Sequence, residues 1–280
     1  MDEIAEAVLD RLLYIDELPT GPPPLIYHYT DFNGFRGIIE SHSIWATYCR
    51  SLNDSTELQY GEHIVRKLLL ETMTDPVLQD HVARELDKLR GDLIPFVTCF
   101  CTKPNVLSMW REYAHRGGGY CLGFGSNGLR SLSTDAGTTT YLVKVVYGEP
   151  DATVKAAIDE IVKYVGRDPG TGWGYQLAHV LASKLKHESF KEEDEWRVIV
   201  HDAKYPAMHF RQGHDTIIPY VELRKTSVSG VADPRLPLLK VVCGPTLRND
   251  DELRRAAKWM LKRYGYDNVV VQSSTIPYRL

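Results

Sequence analysis

Residues 24–46 read PLIYHYTDFNGFRGIIESHSIWA, and they decide how the chain is built. The apolar run that opens the stretch predicts a strand over 25–29. Asp31 stands where a helix N-cap belongs and predicts a helix over 31–41. A second apolar run predicts a strand over 44–48. His28 is the odd residue. A buried strand normally carries Val or Ile where Tyr27, His28, Tyr29 and Thr30 stand. This strand end therefore has a second task.

Outward from this unit, strands and helices are mixed without strict alternation. Helices are expected over 55–72, 76–91, 105–114, 151–165, 175–187 and 249–264. Strands are expected over 93–100, 120–125, 140–147, 195–201, 216–221, 238–243 and 268–274. Asn105 is the expected cap of the 105–114 helix, and Asn249 with Glu252 has capping-box spacing. The pattern predicts an α+β fold with a mixed, mostly antiparallel central sheet and flanking helices. Residues 3–18 carry Ile4, Val8, Leu12 and Ile15 at helical spacing, and PTGPPP then stiffens the chain. The expected organisation is an N-terminal helix and connector over 1–24 and a single domain over 25–280.

Composition narrows the function classes. With 33 Lys+Arg against 37 Asp+Glu the formal charge is −4, unlike a general polyanion binder. No apolar run reaches about 18 residues, so no membrane span is expected. The acidic, amphipathic start is unlike a signal peptide, and five cysteines without a CxxC pair suit a reducing cytoplasm. Cys99 and Cys101 share one strand face and read as small buried groups. The glycine-rich RGGGYCLGFGSNG lacks the phosphate-loop lysine, and neither GxSxG nor HExxH occurs. No metal is expected.

Three polar clusters remain: Tyr27–Thr30, Ser51–Glu57 with Asn53 and Asp54 inside it, and Lys186–Val200. Asp54 and Glu57 have capping-box spacing, which accounts for them without function. In the third cluster, period-two alternation puts Glu195, Arg197 and Ile199 on one face of a strand. Trp196, Val198 and Val200 form the other, core-facing side. Glu195 and Arg197 then project together toward a cleft. Trp110 and Tyr113, three apart on a helix, read as a platform for a heteroaromatic ring.

The succession from LIYHYT through SLNDSTE, CFCTKPNVLSMWREYAHRGGGYCLGF, VVYGEP, KHESFKEEDEWRVIV and KVVCGPTLRND to VQSSTIPYRL resembles a bacterial family known as domain of unknown function 2971. The resemblance runs from about residue 25 to the C-terminus, with serine after Asn53-Asp54 where proline is frequent. Relatives often sit near phage-defence and mobile-element genes. The block YHYTDFNGFRGIIESHSIWA is also similar to the first block of ADP-ribosyltransferase-like toxins. That resemblance implies a split sheet and NAD as substrate. His28 would hold the NAD ribose, Thr30 would support that end, and Tyr48 or an aromatic of the MWREY helix would stack on nicotinamide. Glu195 would be the catalytic carboxylate, with Arg50, Arg111 or Arg197 on the pyrophosphate. The acceptor, whether protein, nucleic acid, small molecule or water, stays open.

Two other classes stand beside this one. A metal-dependent nuclease would gather Asp54, Glu57, Glu193 and Glu195 on a divalent ion, with Lys191 near the phosphate. A non-enzymatic module of a defence system would bind a nucleotide signal or a protein without turnover.

Overall fold

The structure is a computed structural model. It describes residues 21–52, 56–88, 95–114, 118–138, 140–170, 172–201, 203, 205–213, 215–225, 233–245 and 250–277. The expected helix over 3–18, Asn53, Asp54 and the Asn249 cap lie outside these residues.

The chain runs β1 (Leu25–Thr30), α1 (Phe32–Ser41), β2 (Ile44–Tyr48), α2 (Glu57–Thr72), α3 (Pro76–Lys88), β3 (Phe96–Cys101) and α4 (Leu107–Tyr113). It continues through β4 (Tyr120–Gly125), α5 (Ser126–Leu129), β5 (Leu132–Ser133), β6 (Thr140–Lys144), β7 (Val146–Tyr147), α6 (Ala152–Arg167), α7 (Trp173–Ala182) and β8 (Leu185–Lys186). The last elements are β9 (Glu195–Val200), β10 (Met208–Gln212), β11 (Ile217–Lys225), β12 (Leu238–Cys243), α8 (Asp250–Arg263) and β13 (Val270–Ser273). The α+β class and the mixed, mostly antiparallel sheet are as expected. In the main sheet every described pairing is antiparallel except β12 with β13.

The feature that positions the site is a fork at β3. One edge of β3 pairs with β9 along its whole length, from Phe96 opposite Val200 to Cys101 opposite Glu195. The other edge is shared. Val97 and Phe96 pair with Thr47 and Tyr48 of β2, while Cys101 pairs with Tyr27 of β1. The sheet thus opens into two arms, β1-β4-β12-β13 and β2-β11-β10, with the middle of β3 between them.

Both sheet faces are buried. On one, Trp196, Val198 and Val200 of β9 pack with Phe35, Ile38 and Ile39 of α1 and Ala257 and Leu261 of α8. On the other, Val97 and Ile199 pack under α2, α3, α6 and α7. A smaller core lies beneath α4, built by Tyr27, Tyr29, Cys101, Met109 and Trp110. The cleft lies between the last two cores, at the fork.

Three expected elements differ in ways that serve this cleft. The 175–187 helix ends at Ala182, and Leu185–Lys186 instead pairs in parallel with β7, which turns Lys186 inward. The 140–147 strand breaks at Val145, whose N–H donates to the Glu195 carbonyl before β7 leaves for β8. The 105–114 helix starts at Leu107 without a side-chain cap. Asn105 faces the C-terminal segment, where its amide oxygen accepts from Ser274.

Gly61 sets how closely α2 approaches α7. A Cβ there would lie 2.1 Å from the Ala182 carbonyl oxygen. Alanine gains about 1 kcal/mol in helix propensity, but a backbone atom cannot swing aside. Gly61→Ala is therefore expected to lose about 1–3 kcal/mol net. Urea unfolding checks this, and a stabilised variant would contradict the packing.

Candidate active site

Tyr27 and Tyr29 point under α4, where Tyr29 meets Trp110 edge-on at 4.8 Å and its hydroxyl donates to the Lys103 carbonyl. His28 has a different task. Its Nδ1 lies 2.8 Å from the carbonyl oxygen of Cys99, at the part of β3 that the fork leaves unpaired. A valine or isoleucine would leave that carbonyl without a donor. A carbonyl only accepts, so Nδ1 carries the proton and Nε2 keeps a lone pair for a ligand hydroxyl. Burial lowers the imidazole pKa against the weaker raising effect of the Cys99 bond, which favours this neutral form.

The cleft has a volume of about 1020 Å³ and is lined by His28 and Glu195 together. It enters the sheet at the fork, so both faces contribute: Cys99, Glu195 and Arg197 from one, His28 and Phe100 from the other. Glu57 and Tyr60 of α2 stand on one side, and Met109 and Tyr113 of α4 on the other.

At its floor lies a buried ion cluster. Arg197 Nε donates to Glu195 Oε1 at 2.7 Å and Nη2 to Glu195 Oε2 at 2.9 Å. Nη1 donates to the Ser183 carbonyl at 2.6 Å, and Nη2 also reaches Glu57. Lys186 Nζ donates to Glu195 at 3.0 Å and Glu193 at 2.7 Å, and pairs with Glu57 at 3.2 Å. Two cations facing three carboxylates leave a formal charge of −1. Tyr147 anchors the strand start by accepting from the Glu195 N–H.

The two carboxylates on Lys186 are driven apart. Burial alone would raise Glu195, but the Arg197 guanidinium and the Lys186 ammonium overcome it and hold the carboxyl at about 2. For Glu193, burial raises the carboxyl against the pull of Lys186, and the charges of Glu195 and Glu57 add to the rise. Burial opposes protonated Lys186, yet Glu195 and Glu57 outweigh it and keep the ammonium charged.

This predicts a pH effect on stability. Glu195 has a depressed folded pKa, so its contribution is complete above the ordinary 4.5 and is lost as pH falls toward about 2. Glu193, raised, contributes with the opposite sign. The stability of the wild type should fall between about 4.5 and about 2 more steeply than that of Glu195→Gln. Parallel urea midpoints across that window would contradict the assignment.

Other expected site residues fall elsewhere. Trp110 is completely buried under α4 and does not reach the cleft. Tyr113 does, with its hydroxyl 3.3 Å from Glu193. Arg197 directs four of its five N–H donors to Glu195, Glu57 and Ser183, and two carboxylates already balance its charge. Tyr48 packs between the two large cores, and Thr30 turns its hydroxyl onto Gly34 at the start of α1. Thr56 is the N-cap of α2, without a side-chain cap bond, and Glu57 faces the ion cluster. Lys191, exposed, pairs with Glu188. The acidic residues of the nuclease reading that are described surround Lys186 rather than an open space. Lys186, the first residue of the third polar cluster, fell within the expected helix and was given no role there.

Comparison with known proteins adds one finding. Residues 109–198 match the DUF2971 family, described as a protein of unknown function. The DUF2971 segment begins inside α4 and ends inside β9. It therefore contains Tyr113, Lys186, Glu193, Glu195 and Arg197, while His28 and Glu57 lie before it. No curated protein and no solved structure matches the chain.

Proposed function

We propose that the cleft binds NAD and cleaves its N-glycosidic bond, passing ADP-ribose to an acceptor hydroxyl or to water. The observation that carries this reading is the pair Glu193 and Glu195, held on one lysine with their pKa values driven in opposite directions. Such a divergence separates a fixed charge from a proton carrier. When the bond from C1′ to the nicotinamide nitrogen breaks, its electrons leave with neutral nicotinamide and the ribose becomes an oxocarbenium. Glu195, permanently ionised in a cluster of formal charge −1, stabilises that cation. The acceptor oxygen then bonds to C1′, and its proton goes to Glu193, the more basic carboxylate. Tyr113 offers a ring beside the pair, and the Nε2 lone pair of His28 can accept from a ribose hydroxyl. This reading takes the fork at β3 as the counterpart of the split sheet that the resemblance to ADP-ribosyltransferase-like toxins implies. NAD consumption would suit a phage-defence or toxin effector.

A second reading has its own observation. Every oxygen of Glu195 is already engaged in the free protein, as in a structural cluster that senses a nucleotide without turnover. Incubation with NAD labelled in the nicotinamide ring separates the two. Free labelled nicotinamide supports cleavage, and tight binding without release supports the sensor.

A further inference from the structure

The cleft is polarised. Glu57, Glu193 and Glu195 gather on one side of β3, where their net negative charge repels phosphate. Lys186 and Arg197 are neutralised there by those carboxylates. Arg211, on the edge strand β10, also lines the cleft. Its Nε is buried and has no hydrogen-bond partner among the described residues, and no carboxylate there pairs with it. A buried guanidinium nitrogen without an acceptor is costly, and a ligand anion would satisfy it.

Beside it stands an aromatic ladder. Trp45 of β2 lies on Tyr220 of β11 with centroids 4.1 Å apart and planes 28° apart. Tyr220 in turn stacks on His209 of β10 at 5.4 Å and 27°. The register places Tyr220 opposite both Thr47 and His209, so the ladder follows the cleft face of the β2 arm. Trp45 lines the cleft and is 42 % exposed, though it is a large apolar ring. A ring backed on one face by a rigid stack is a platform for a flat heterocycle.

We infer that the adenosine diphosphate half of the nucleotide binds here, its adenine on Trp45 and its phosphates on Arg211. This rests on reading the cleft as a nucleotide site. Trp45 and Arg211 both stand on the β2 arm, two and four strand spacings from β9, away from the carboxylate cluster.

Calorimetric titration with ADP and with nicotinamide riboside tests the assignment. Trp45→Ala and Arg211→Gln should each weaken ADP binding about ten- to hundredfold and leave nicotinamide riboside unaffected. Trp45→Phe, which keeps a ring, should retain most of the ADP affinity and guards against a folding effect, as do matching melting curves. Glu195→Gln, which removes a repelling charge, should not weaken ADP binding. Unchanged ADP affinity in folded Trp45→Ala and Arg211→Gln would overturn the inference, as would an equal loss in Glu195→Gln. If the wild type releases nicotinamide from NAD but binds no ADP, this inference fails while cleavage stands. If it binds ADP at Trp45 and Arg211 but cleaves no NAD, the inference stands and cleavage fails.

Discussion

Arg197→Met is expected to destabilise the protein by about 3–5 kcal/mol, the cost of breaking a buried ion pair from one side. Methionine fills much of the same space, so the loss is electrostatic rather than a cavity effect. Without the guanidinium, Glu57, Glu193 and Glu195 depend on Lys186 alone, and the Ser183 carbonyl loses its donor. The magnitude is large because Arg197 is 1 % exposed and all its nitrogens are engaged. Urea unfolding measures it. A loss below about 1 kcal/mol, typical of an exposed pair, would show that the cluster is solvated and would remove its role in fixing the charge of Glu195.

Glu195→Gln is expected to slow NAD cleavage roughly a hundred- to a thousandfold, the effect of losing about 3–4 kcal/mol of transition-state stabilisation. The same substitution also disturbs the ion cluster. A glutamine amide can still accept from Arg197 through its oxygen, but its nitrogen then faces Arg197 Nη2 and Lys186 Nζ, donor against donor. About 1.5–3 kcal/mol of stability should be lost as well, the range for hydrogen bonds to charged groups. The rate must therefore be compared well below the melting transition of the variant. Glu57→Gln, which removes a carboxylate of the same cluster, gives the comparison. It should lower stability similarly and slow cleavage less.

What the sequence revealed follows from the range of each signal. Alternation in EWRVIV is local, so the shared face of Glu195 and Arg197 was legible, and so was the opposite face that joins the first core. The partners of Arg197 were not. Glu57 lies 140 residues away in sequence, and only the fold brings it to the guanidinium. The expectation that Arg197 meets a pyrophosphate was drawn without these partners, which take four of its five N–H donors. Trp110 and Tyr113 illustrate a finer limit. Residues three apart on a helix differ by about 60° in direction. That angle leaves Trp110 on Tyr29 inside the core and brings Tyr113 to the cleft rim. Lys186 opened the third polar cluster but was given no role, because the apolar spacing of 175–187 continues past the true helix end at Ala182. Arg211 lies on an edge strand of mixed pattern, MHFRQ, with no periodic signal to mark it. His28 was singled out for the right reason, a polar residue where an apolar one belongs. Its bond to Cys99 at the fork explains why.

The central claim is that the carboxylate pair on Lys186 performs chemistry at the ribose. Single-turnover release of nicotinamide from NAD, measured side by side for the wild type and for folded Glu195→Gln, tests it most directly. The account predicts release by the wild type and a rate in the variant lower by roughly a hundred- to a thousandfold. Release at the wild-type rate by the folded variant would contradict it.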